Sequence, residues 1–75
     1  MNSHLQLDAK GLACPMPIVK TKKAMDTLAT GEILEVHVTD KGALADMPAW
    51  TRAGGHTILD QSEDAGVLKF FIQKA

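Results

Sequence analysis

Cysteine is nearly absent from this chain: Cys14 is the only one among 75 residues. That excludes an internal disulfide and a Cys-x-x-Cys redox pair, so thiol chemistry must use Cys14 alone or borrow a second thiol from a partner. A charge surplus is also missing, with 8 Lys and Arg against 9 Asp and Glu. The global electrostatic case for binding nucleic acid, which rests on a basic excess, is therefore lost. No stretch approaches the roughly 18 apolar residues of a membrane span, and membrane binding is not expected. The N-terminal segment MNSHLQLDAK lacks the long apolar core of a signal peptide, so the cytoplasm is the expected location.

The 45% hydrophobic content favours a folded globule over disorder. The length suits one small domain, residues 1–75, with little stability in reserve. Leu5 to Asp8 alternates apolar and polar residues as a short strand does, and Asp8 to Ala13, with Gly11, reads as a loop. A helix is expected from Cys14-Pro15. Ile18, Thr21, Met25 and Leu28 form its apolar stripe, and Gly31 is its natural stop.

Glu32 to Asp40 alternates again, with Leu34, Val36 and Val38 opposite Glu35 and His37. Ala43 to Ala53 reads as a second helix carrying Leu44, Met47 and Trp50 on one face. Pro48 predicts a kink or a late start, with Asp46 as cap of a fresh turn. Thr57 to Gln61 and Val67 to Lys74 are two further strands, joined by a loop over 63–66. The order β-α-β-α-β-β predicts a two-layer α/β sandwich, a four-stranded mixed sheet with two helices on one face.

Proline is scarce too, yet two of the three prolines stand at Pro15 and Pro17, flanking Met16. Such a pair would disrupt the middle of a helix but is harmless in the first turn, where backbone donors have no helical partner. With Cys14 as N-cap, its sulfur would lie at the positive end of the helix dipole, with the Met16 N–H as the nearest donor. This placement predicts a lowered thiol pKa, an activated nucleophile and a stabilised persulfide anion. The first turn holds no acid, and Lys20, Lys22 and Lys23 follow it. Lys20 and Lys23 are expected to make a basic face near Cys14 that suits an acidic partner. Lys22 and Asp26 are spaced for a surface pair. The plainer readings are a lone cysteine that serves as a buried hydrophobe, and lysines that only solvate a face.

The segment Cys14-Pro15-Met16-Pro17 resembles the hallmark of the TusA/SirA family of sulfur carriers. Leu7 to Pro15 is similar to that family's lead-in, and Asp46-Met47-Pro48-Ala49-Trp50 to its second-helix signature. The resemblance spans about residues 5–74 and implies the same β-α-β-α-β-β sandwich. It implies that Cys14 accepts sulfane sulfur from a cysteine desulfurase or a rhodanese-like protein. The sulfur then passes to an acceptor protein in tRNA thiolation, cofactor synthesis or sulfur oxidation. Asp8, Lys10, Gly11, Pro15, Met16 and Pro17 would support the motif by shaping the loop and helix start. Lys10 stands where the family usually has Arg, and Lys41-Gly42 where it often has Pro; both bear on partner identity.

No metal or organic cofactor is expected, since His4, His37 and His56 share no ligand spacing with Cys14. A monomer acting between two protein partners is the expected form. The rival reading is a regulatory or interaction module in which Cys-Pro-x-Pro is only a helix-start device.

Overall fold

Residues 2–75 are described by a computed structural model. The alternating stretches form strands β1 (Leu5–Ala9), β2 (Ile33–Val38), β3 (Thr57–Asp64) and β4 (Val67–Gln73). The periodic stretches between them form helices α1 (Met16–Met25) and α2 (Ala43–Ala53). The sheet order is β1-β2-β4-β3, with β1 and β2 parallel and β4 antiparallel to both of its neighbours. This is the expected sandwich, a four-stranded mixed sheet with two helices.

Leu34, Val36 and Val38 of β2 pair with Ile72, Phe70 and Leu68 of β4, and all six are buried. Ala9, Met25, Ala43 and Met47 close the same core from β1 and the helices. Thr21 and Thr51 are buried polar residues. Each donates its hydroxyl to a carbonyl one turn back, Thr21 to Pro17 and Thr51 to Met47, at 2.7 Å, so neither leaves an unmet hydrogen bond.

The helices depart from the periodic reading in instructive ways. The expected N-cap, Cys14, lies two residues before α1; Pro15 is the N-cap and Pro17 the second helical residue. The helix ends at Met25, short of Gly31. There the Thr27 hydroxyl takes the Ala24 carbonyl at 2.6 Å, and the chain tightens through Thr27 N–H to Ala24 and Leu28 N–H to Met25. In α2 the row facing inward is Ala43, Met47 and Thr51, four apart, while Leu44 is 44% exposed. Spacings of three lag behind the helical turn, so Leu44 rotates away from the sheet as Met47 enters it.

Pro48 lies inside a continuous α2 and does not delay its start. The carbonyl it leaves without a helical partner belongs to Leu44, an exposed residue that water can reach. Asp46 is thus the fourth residue of a continuous helix, not a cap. The β3–β4 hairpin is tighter than the 63–66 loop expected. Ala65 and Gly66 alone turn the chain, with φ of 51° and 81°, as a two-residue primed turn demands.

The sheet face away from the helices carries a polar network. Glu35 and His37 are in contact at 2.5 Å, and Ser3 donates to Glu35 at 3.1 Å. The His37 hydrogen bond holds the Glu35 carboxyl below its ordinary value of 4.5, against an opposing push from partial burial. A carboxyl with a lowered folded pKa stabilises the protein above its unfolded pKa and loses that contribution as pH falls through the folded pKa. Thermal melts from about pH 6 down to about pH 3 should therefore show wild type losing stability more steeply below about pH 4.5 than Glu35→Gln does.

Candidate functional site

Because β1 and β2 run parallel, the loops after them leave the same end of the sheet, where open α/β folds place their sites. The first loop is shaped by its own polar groups. Asp8 accepts the Lys10 N–H at 3.0 Å, an Asx-type turn. Gly11, at φ 80°, adopts a conformation costly for other residues and donates its N–H to the Thr39 hydroxyl at 2.9 Å. That bond ties the first loop to the second, and Cys14 comes to lie beside Asp40 and Asp46.

Cys14 is exposed, at the mouth of a shallow notch lined by Pro17, Ile18, Asp40, Ala43 and Asp46. Its backbone N–H donates to Asp40 Oδ2 at 3.2 Å, and its thiol donates to Asp46 Oδ2 at 3.2 Å. The hydrogen bond to Asp46 comes first among the causes that push the thiol above its ordinary value of 9.0; partial desolvation and the charges of Asp46 and Asp40 add to it.

This reverses the lowered pKa read from the sequence. Amides at a helix start lower a thiol pKa only if they point at the sulfur. Here Pro15 and Pro17 have no N–H, and the Met16 N–H bonds the Ala13 carbonyl at 2.9 Å. The positive end is weakened by these losses, and two carboxylates stand against it.

Pro17 is buried under the notch and Met16 is 42% exposed beside Cys14. Lys10 lies away from the sulfur, lining a groove with His37, Ser62 and Lys69 on the open sheet face. Lys20 and Lys23 are exposed on α1 but do not line the notch. The charged side chains lining the notch with Cys14 are both acidic, Asp40 and Asp46. Lys22 pairs with Asp26 at 3.4 Å as its spacing suggested. The histidines are held by local bonds: His4 and His56 each accept a backbone N–H, from Ile33 and Ala75.

No local pattern in the sequence marks Asp40 and Asp46 as neighbours of the sulfur. The available signal was topological: in a β-α-β-α order with two parallel strands, the loops preceding both helices are neighbours.

The fold and site together define a small two-layer α/β protein that presents one free thiol at the start of its first helix. Residues 5–74 match the family model described as Sulfurtransferase TusA, and the chain belongs to that family. It is 62% identical over 74 residues to "Putative sulfur carrier protein YrkI" of Bacillus subtilis, covering 99% of each chain. It is 36% identical over 70 residues to the sulfur carrier protein TusA of Allochromatium vinosum, covering 93% of this chain and 92% of the other. The crystal structure of a SirA-like protein from Desulfitobacterium hafniense superposes with a TM-score of 0.81 at 25% identity, covering 92% of this chain and 95% of that one.

Proposed function

We propose that this chain is a sulfur carrier that takes sulfane sulfur from a donor protein as a persulfide on Cys14 and hands it to an acceptor protein. The observation that carries this reading is the single thiol, exposed at the mouth of the notch, in a chain of the TusA family. In loading, the Cys14 thiolate attacks the outer sulfur of a donor cysteine persulfide. The donor S–S bond breaks, a new S–S bond forms at Cys14, and the donor leaves as a thiolate that takes up a proton. In unloading, an acceptor thiolate attacks the outer sulfur and Cys14 is the leaving group. A lone thiol suits this task, since a neighbouring cysteine would discharge the persulfide as a disulfide.

Intact mass after incubation with a cysteine desulfurase and free cysteine tests the reading. The expected result is a gain of one sulfur mass that a reductant removes. No gain with a desulfurase and none with a rhodanese-type donor would reject it.

A further inference from the structure

The notch is a poor resting place for a nucleophile. A carboxylate only accepts hydrogen bonds, so the contact between Cys14 Sγ and Asp46 Oδ2 requires the proton to sit on sulfur. A thiolate at the same place would face Asp46 directly, with Asp40 fixed on the other side by the Cys14 N–H. No cation of this chain relieves that pair among the described residues. The first turn of α1 offers only Met16, Pro17, Ile18 and Val19. Lys41, next to Asp40, reaches away to Glu63 at 3.8 Å, and Lys10 lies in the groove of the open sheet face. The remaining notch walls, Pro17, Ile18 and Ala43, carry no charge.

We propose that Asp46 is a positioning residue that locks Cys14 as a thiol in the free carrier, and that a partner protein unlocks it by setting a cationic side chain against Asp46 and Asp40. Met16 and Leu44, 42% and 44% exposed, supply apolar surface on the two helices that border the notch. A cation framed by apolar contacts is the complement such a surface selects, and the pairing favours approach of the right partner over others. On docking, the cation neutralises the carboxylates, the Cys14 proton passes to solvent and the sulfur is free to attack. Once Cys14 carries a persulfide anion, it has no proton for Asp46, so the outer sulfur turns outward to where an acceptor thiol can reach it.

The inference rests on the carrier reading, but its test needs no persulfide. The rate of Cys14 alkylation by iodoacetamide is measured against pH for wild type, Asp46→Asn and Asp46→Glu. Asp46→Asn should lower the midpoint, and the alkylation rate at neutral pH should rise by about threefold, the gain in thiolate outweighing the weaker nucleophilicity of the more acidic thiol. Asp46→Glu should keep a raised midpoint. Asp40→Asn, which removes the second charge, should shift it in the same direction by less, and serves if Asp46→Asn does not fold.

Exchange with a dicationic disulfide, cystamine, against a dianionic one, dithiodipropionate, tests the partner's charge. Wild type should favour cystamine by about fivefold or more at low salt, with the preference shrinking in Asp46→Asn. An unchanged midpoint in both neutral variants, or equal wild-type rates with the two disulfides, overturns the proposal. A shifted midpoint in a protein that never accepts sulfur would uphold the lock while rejecting the carrier reading.

Discussion

Cys14→Ser is expected to fold like wild type and to take up no sulfur at all. Serine keeps a hydroxyl that can donate to Asp46 where the thiol does now, and Cys14 is exposed. The change in stability should therefore stay within about 0.5 kcal/mol, as for other surface substitutions away from buried features. The chemistry does not survive the exchange. A serine hydroxyl is scarcely ionised near neutral pH, and no second cysteine in the chain can take its place. Matching melting curves with no added sulfur mass is the expected pair of results. A serine protein that still carries reducible sulfur would place the reactive group elsewhere. One that loses sulfur uptake yet keeps full biological activity would instead mark the chain as an interaction module.

Phe70→Ala should remove much of the stability. Phe70 is the largest of the fully buried side chains and lies on β4, which is paired on both sides, to Val36 of β2 and Gln61 of β3. Truncating a buried phenylalanine costs about 3–5 kcal/mol, because the transfer energy of the ring and the cavity left behind add. At about 0.05–0.15 kcal/mol per residue, a protein of this length has only about 4–11 kcal/mol in total. Thermal denaturation should shift down by about 12–40 °C. Phe70→Leu, which keeps most of the volume, should cost less than about 1.5 kcal/mol. Equal losses for the two variants would mean that volume at this position does not hold the sheet against the helices.

Much of the molecule was legible in one dimension. Alternation at 34, 36 and 38 and again at 68, 70 and 72 marks two strands whose inward residues meet in the core, because a strand has a period of two whatever it pairs with. The Ala43 to Ala53 helix has the bounds read from its pattern. The prolines at 15 and 17 mark a helix start because two missing donors so close together are harmless in a first turn, where backbone donors have no helical partner. The end of α1 was not legible, since it turns on where the Thr27 hydroxyl finds a carbonyl. Nor was the outward rotation of Leu44, which depends on how α2 seats on the sheet.

By itself, then, the order of residues determined the elements, their order in the sandwich and the sulfur at the head of the first helix, all of which follow from local periodicity and backbone chemistry. Only the tertiary structure decided the electrical surroundings of that sulfur. Cys14 meets Asp40 and Asp46 across 26 and 32 positions of chain, brought together by the parallel pairing of β1 with β2. Electrostatic energy depends on distance in space, and a hydrogen bond of 3.2 Å to a carboxylate outweighs a helix end that lacks the Pro15 and Pro17 donors and has its Met16 N–H engaged.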